Sequence, residues 1–139
     1  MIVLDTNVLS ALMRTEPGAA VVSWLDRQSP ESIWTTAVTV LEVRFGLELL
    51  AEGRRRQHIE MAFAQMLQQD LQNRVLPFDR AAAEEAARLA ARRQRSGRPV
   101  DFRDTEIAGI VLIRRAILAT RNLRHFEDLE IDLVDPWSG

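Results

Sequence analysis

The chain opens with Met1-Ile2-Val3-Leu4-Asp5-Thr6-Asn7, in which a short apolar run leads directly into a carboxylate and a polar turn. The run predicts a buried β-strand with Asp5 at its carboxyl end. In an open α/β sheet, ligands bind outside the carboxyl ends of the strands. Asp5 is therefore a candidate site residue, and it requires partners from elsewhere in the chain.

Beyond this stretch, apolar runs alternate with segments of helical periodicity. The alternation predicts an α/β fold in which a parallel sheet is covered by helices on both faces. Two central helices, separated by Gly53-Arg54-Arg55-Arg56, are expected to form a hairpin, and Asp79 is expected to cap the helix that follows it. The other strands are predicted at 32–35, 75–79, 116–120 and 131–134, and helices at 19–28, 40–50, 58–71, 79–95, 104–114 and 123–126.

The composition limits the chemistry that is available. A chain of 139 residues, 47% of them apolar, fits one compact domain over residues 1–139. The lack of cysteine excludes disulfides and thiolate sites, and the lack of lysine excludes P-loop and Schiff-base mechanisms. With a net charge of −2, any contact with nucleic acid is expected to be a local patch of arginines.

The sequence also bears on where the protein works. No apolar run approaches the roughly 20 residues that a membrane span needs, and the N-terminus lacks the pattern of a signal peptide. The absence of cysteine is compatible with a reducing compartment. We therefore predict a cytoplasmic protein with no membrane partner.

Three acids, Asp5, Glu42 and Asp104, stand out because each lies near a predicted strand end, in a first helical turn or within an apolar helix. A buried carboxylate such as Glu42 is costly unless it is paired or holds a metal. Arg44 or Arg121 is a possible ion-pair partner of Glu42. If the three acids converge, their oxygen ligands suit Mg²⁺ or Mn²⁺ better than zinc.

Each acid also has an ordinary structural explanation. Asp5 or Thr6 can cap a helix that begins near Asn7, and Asp104 can complement a helix dipole. Four polar residues are candidates for orienting the carboxylates by hydrogen bonds, with turn and cap roles as the alternative. They are Thr6, Asn7, Thr36 and Asn122.

Arginines gather before Asp104 and are candidates for guiding RNA phosphates. Arg98, Arg103 and Arg121 are the tentative RNA contacts, whereas a solvated helix face also explains Arg92, Arg93 and Arg95. His58 and His125 lack metal-ligand spacing and are expected to have surface roles. Met61 and Met66 are expected in the core.

Four ordered motifs carry a family resemblance across essentially the whole chain. They are Asp5-Thr6-Asn7, the segment 36–46, Asp104-Thr105-Glu106-Ile107-Ala108 and the segment 120–126. Together they resemble a PIN-domain ribonuclease, in particular the VapC and FitB toxins of type II toxin–antitoxin systems. The resemblance implies an α/β/α sandwich around a central parallel sheet of roughly five strands.

The same resemblance implies a function and its partners. Asp5, Glu42 and Asp104 would be the metal-binding and catalytic acids of a Mg²⁺-dependent endoribonuclease, with Mn²⁺ as a possible substitute. Asn122 stands where many PIN domains have a fourth acid, which puts a full second metal site in doubt. The implied partners are RNA, a second copy of the chain and a cognate antitoxin that blocks the acidic site.

Two other interpretations remain open from the sequence. One is a non-catalytic PIN-like module that binds RNA or protein, with a metal site weakened by Asn122. The other is a phosphotransfer domain with Asp5 as nucleophile, which the absence of lysine disfavours because such sites normally include one.

Overall fold

A computed structural model describes residues 1–98 and 101–138. Its centre is a five-stranded parallel sheet with the strand order β3-β2-β1-β4-β5. The strands are β1 (Ile2–Leu4), β2 (Ile33–Thr36), β3 (Val75–Leu76), β4 (Ile117–Ala119) and β5 (Asp132–Val134). The helices are α1 (Thr6–Leu12), α2 (Ala19–Asp26), α3 (Ala37–Leu49), α4 (Arg54–Gln65), α5 (Arg80–Arg95) and α6 (Phe102–Arg114).

The central strand β1 separates two hydrophobic cores. Successive side chains of a strand point to opposite faces of the sheet, and Val3 and Leu4 accordingly belong to different buried clusters. The cluster around Val3 includes α5 and α6, and the cluster around Leu4 includes α1 and α2. This confirms the predicted sheet with helices on both faces.

The boundaries of several elements differ from those predicted, and capping explains most of the differences. α3 begins at Ala37 because the Thr36 side chain accepts a hydrogen bond from the Thr39 N–H. α6 begins at Phe102 because Asp101 caps it. β3 ends before Pro77, which has no N–H for a strand ladder. The predicted cap at Asp79 is confirmed by its bond to the Ala82 N–H.

The central hairpin contains two further differences. The second helix starts at Arg54, earlier than expected, and continues into a π-helical turn at Met66–Asp70. Met66 is buried as predicted, but Met61 is largely exposed, so its assignment to the core is wrong. Within the described ranges, no helix combines the length and apolar character needed to cross a bilayer.

Arg93 is a structural residue. Its side chain is only 4% exposed and donates hydrogen bonds to both carboxylate oxygens of Asp128, to the Thr105 hydroxyl and to the His125 carbonyl. The hydrogen bonds from Arg93 to Asp128, together with the charge of the guanidinium, hold the pKa of Asp128 below its ordinary value. Neither a solvated face nor an RNA-guiding role therefore describes Arg93, which ties α5 to α6 and to the segment after β4.

Gly109 lies where α5 and α6 pack most closely. A Cβ at this position would come 2.6 Å from the Ala82 carbonyl oxygen and 3.0 Å from the Ala86 Cβ. By contrast, nothing lies within 4 Å of a Cβ added to Gly46 in α3. The two helical glycines therefore provide a matched pair.

We predict that Gly109→Ala lowers the free energy of unfolding by about 1–3 kcal/mol, because the methyl group overpacks a helix contact. Gly46→Ala should instead raise it by up to about 1 kcal/mol, because alanine is the better helix former. Urea denaturation followed by circular dichroism measures both. Equal effects of the two substitutions would contradict the close approach of α5 and α6.

Candidate active site

Asp5 lies at the carboxyl end of the central strand and is only 3% exposed. Its Oδ1 accepts a hydrogen bond from the Thr6 N–H at 2.8 Å, which makes Asp5 the N-cap of α1. Its Oδ2 accepts bonds from the Thr120 hydroxyl at 2.8 Å and from the Asn7 amide at 3.2 Å. Asp5 is thus both a helix cap and a rigidly oriented buried carboxylate.

The sequence analysis did not identify Thr120 as a site residue, although its position in the sequence points to the site. It directly follows β4, as Asp5 directly follows β1, and these strands are parallel neighbours. Their carboxyl ends therefore lie side by side. The general rule that polar residues at adjacent strand ends meet could have identified Thr120.

Glu42 projects from α3, the helix that follows β2. Its Oε1 accepts a hydrogen bond from the Thr6 hydroxyl at 3.0 Å, and its Oε2 lies 3.8 Å from Nη1 of Arg103. The expectation that Arg44 or Arg121 pairs with Glu42 is wrong. Glu42 is instead reached by Arg103, which approaches from α6.

The two arginines first considered for Glu42 have other partners. Arg44 bonds to Glu48 one turn along the same helix, at 2.7 Å. The Arg121 guanidinium lies 4.7 Å from the centre of the Trp137 ring, a cation–π contact that holds the end of the chain. Its tentative assignment to RNA stays a prediction, but this contact gives Arg121 a structural role.

Asp104 lies in the first turn of α6 and is mostly buried. Its Oδ2 is 2.7 Å from Nδ1 of His125, in the 3₁₀ turn Leu123–His125 that follows β4. His125 is exposed, as expected of a surface residue, but its contact with a candidate site carboxylate was not predicted. Metal-ligand spacing along the sequence could not detect a contact between α6 and this turn.

The three acids are electrostatically coupled. Burial raises the pKa of Asp5 above its ordinary value, and the charge of Asp104 raises it further. Burial likewise raises the pKa of Glu42, with added contributions from Asp5 and Asp104. Hydrogen bonds to Asp5, and the Thr6 bond and Arg103 at Glu42, oppose these shifts without cancelling them. Such a cluster favours binding either a proton or a cation.

As they are placed, the described residues contain no group of three Asp, Glu or His side chains close enough to hold a metal ion. The chemistry of the acids nevertheless fits a hard divalent cation, because three carboxylates offer only oxygen ligands. Asp104 and Glu42 are held by His125 and Arg103, whose side chains are about half exposed. Binding of one cation by all three acids would therefore require the carboxylates to shift from these positions.

The four polar residues predicted to orient the acids take different places. Thr6 and Asn7 bond to the carboxylates directly. Thr36 caps α3 and reaches Thr6 only through the Thr39 hydroxyl, another residue that the sequence did not reveal. The Asn122 side chain is exposed, and its backbone N–H donates to the Thr120 hydroxyl at 3.0 Å.

Two cavities adjoin the acids. One, of about 650 Å³, contains Arg98, Phe102, Asp104, Arg124 and His125 in its wall, and we call it the basic pocket. The other, of about 570 Å³, is largely apolar and runs between α1, α3 and α4 to Glu42, and we call it the apolar groove. Arg103 lines both cavities. Arg121 is not among the residues that line either of them.

Comparisons with known proteins identify relatives over nearly the whole chain. The family model of the PIN domain matches residues 2–131. VapC ribonuclease Y4jK of Sinorhizobium fredii is 39% identical, with 99% of this chain and 98% of that protein covered. Toxin FitB of Neisseria gonorrhoeae is 31% identical, with 99% of this chain and 99% of that protein covered. The solved structure of FitAB bound to an IR36 DNA fragment superposes with a TM-score of 0.87 at 31% identity, covering 99% of this chain and 96% of that one.

We predict that Asp5→Asn lowers the pKa of Glu42, because it removes a negative charge that adds to the effect of burial. In the wild type the raised pKa means that the folded state binds this proton more tightly than the unfolded chain. Stability therefore falls as the pH rises through the interval above the ordinary value of Glu42. Carboxyl-carbon NMR titration without divalent cations measures the shift, and an unchanged Glu42 titration would refute the coupling.

Proposed function

Because this chain belongs to the PIN-domain family, we propose that it is the toxin of a toxin–antitoxin pair and acts as a metal-dependent endoribonuclease. The observation that carries the proposal is the buried Asp5 carboxylate, which is coupled by charge to Glu42 and Asp104, each of which lines one of the two cavities. The names of the relatives, VapC ribonuclease and toxin FitB, support the same function.

In this proposal Asp5, Glu42 and Asp104 hold Mg²⁺, with Mn²⁺ as a substitute. When bound, the cation polarises a phosphoryl oxygen of RNA and lowers the pKa of the attacking water. The protein supplies orientation. Thr120 and Asn7 fix Asp5, Thr6 fixes one oxygen of Glu42, and none of these bonds requires the carboxylates to be protonated.

The surroundings of the acids favour reaction at a phosphodiester. Burial of Asp5 places part of the site in a medium of low dielectric constant, where charge interactions are stronger than in water. The exposed guanidinium of Arg103 lies beside Glu42 and can meet a phosphate oxygen. Asn122 offers a neutral amide where many PIN domains have an acid, so we propose one principal cation.

We predict that purified wild-type protein cleaves a pool of structured RNA in Mg²⁺ or Mn²⁺ and not in EDTA. Asp5→Asn should reduce the rate at least about a hundredfold, because it removes an oriented ligand of the cation. Asp132→Asn, at the amino end of β5, is the matched control and should retain activity. Denaturing gel electrophoresis of the RNA measures the rates.

Cation binding has a second readout that does not depend on catalysis. A ligand that binds only the folded state raises stability, so Mn²⁺ should raise the melting temperature of the wild type and of Asp132→Asn but not of Asp5→Asn. Stabilisation without cleavage of any RNA would favour the alternative, a non-catalytic binding module. Cleavage that persists in Asp5→Asn would rule out the assigned acids.

We also propose that a cognate antitoxin occupies the apolar groove and blocks the acidic site from there. The groove is lined by apolar side chains that include Met13, Leu47 and Ile59 and also by arginines, and Glu42 lies in its wall. An amphipathic helix is the usual occupant of such a groove. The FitAB complex, of which a close structural match is one component, supports a protein partner.

Filling the groove should weaken the partner complex. We predict that Gly46→Leu lowers the affinity for a small protein encoded beside this chain at least about tenfold, because the new side chain occupies the cavity. Ala64→Leu on exposed α4 surface outside the groove is the control. Isothermal titration calorimetry measures both, and equal affinities would place the antitoxin elsewhere.

The homodimer and the cytoplasmic location stay predictions. One feature of the surface is consistent with a second copy, since Leu41, Phe45 and Leu49 form an exposed apolar stripe along α3. Stripes of this kind often mark protein interfaces.

A further inference from the structure

Phe102 is an aromatic residue on the surface of the protein. It begins α6 and is 67% exposed, and it contributes an aromatic ring to the basic pocket. The other described residues that line this pocket are arginines, aspartates and His125. Asp104, one of the three site acids, lies two positions further along the same helix. The ring is therefore presented to solvent beside the acidic site.

Some of the arginines around this ring form no salt bridge with the described carboxylates. Among residues 1–98 and 101–138, the ion pairs of this region involve Arg93 and Arg103. Arg98 donates to the backbone carbonyl of Arg124 at 2.8 Å, and its charge also interacts at longer range with Asp128. No carboxylate of the described residues lies within salt-bridge distance of the Arg98 or Arg124 guanidinium. The pocket thus combines an open aromatic face with two guanidinium groups that form no salt bridge with the described carboxylates.

This combination has a specific chemical match. Single-stranded nucleic acids are bound by aromatic rings that stack on bases and by arginines that meet phosphates. A simple anion would not contact the ring, and the bases of a continuous duplex are already stacked on one another. Both are therefore poorer matches than an unpaired base. The volume of about 650 Å³ lies in the range of pockets that hold small ligands and is sufficient for one nucleotide.

We propose that Phe102 stacks on one unpaired base of the RNA substrate, while Arg98 and Arg124 bind the phosphates that flank it. The inference rests on the proposed nuclease function for its choice of RNA. Since Asp104 lines the same pocket, the stacked nucleotide lies next to the phosphodiester that is cut. Phe102 is then a specificity-determining residue that restricts cleavage to RNA with an unpaired base at this position.

Binding to two matched probes tests this site. Both are short single-stranded oligoribonucleotides with the same number of phosphates, one carrying its bases and the other abasic. The protein carries Asp5→Asn so that the probes stay intact, and fluorescence anisotropy measures affinity. Phe102→Ala should weaken binding of the base-containing probe about tenfold and leave the abasic probe unaffected. Phe78→Ala, a phenylalanine outside both cavities, is the control.

Two further variants separate stacking from charge. Phe102→Trp should restore binding of the base-containing probe, and its added indole fluorescence should be quenched on binding. Arg124→Ala should weaken both probes and reduce the salt dependence of binding. An effect of Phe102→Ala that is equal on both probes, or absent from both, would overturn the stacking site, as would failure of wild-type or Asp5→Asn protein to bind either probe.

The outcomes also distinguish this inference from the nuclease proposal. Stacking on Phe102 without RNA cleavage by the wild type would retain the site and overturn the nuclease. Cleavage by the wild type with Phe102-independent binding would retain the nuclease and overturn the site. If Phe102→Ala weakens only the antitoxin complex, the ring is a protein contact and the RNA site is wrong.

Discussion

The arrangement of this molecule depends on the burial of one carboxylate at the end of the central strand. Asp5 is removed from water, and its pKa is raised, chiefly by that burial. Three donors nevertheless hold its oxygens, from Thr6, Asn7 and Thr120. A buried group so fully hydrogen-bonded is fixed in direction, and the residual cost of its charge is what makes a cation favourable there.

The second structural requirement is that α6 and the turn after β4 keep their positions relative to the Asp5 carboxylate. Arg93 meets it by bonding to Thr105 in α6, to the carbonyl of His125 and to Asp128. Thr105 follows Asp104 in the sequence, and the His125 side chain contacts the Asp104 carboxylate. The buried Arg93 guanidinium therefore helps to position one of the candidate acids. A buried charge pair of this kind need not add net stability, because desolvation of the two charges offsets their attraction.

Local patterns in the sequence were sufficient to predict the strands and the helices, and they single out Asp5, Glu42 and Asp104, whose role as site residues stays a prediction. An apolar run that ends in a carboxylate indicates a buried strand with an acid at its end. Neighbouring residues in the sequence are enough to recognise this pattern. The roles of Thr120, His125 and Arg93 depend on which segments the fold brings together, and periodicity does not contain that information. Phe102 illustrates the same limit from the other side, since an apolar residue at a helix start is expected to be buried until its surroundings are known. The start of α3 was predicted three residues too late, although Thr36 is a typical cap residue.

Arg103 connects the two cavities and so links the two proposed ligands. It lines both the apolar groove and the basic pocket, and its guanidinium lies beside Glu42. A partner in the groove that engages Glu42 draws on the same carboxylate that now attracts Arg103. A phosphate in the basic pocket would instead attract the Arg103 guanidinium away from Glu42. Because Glu42 and Arg103 are in contact, a ligand that takes either side chain changes what the other can offer, and the two proposed ligands are therefore coupled even where they do not overlap in space.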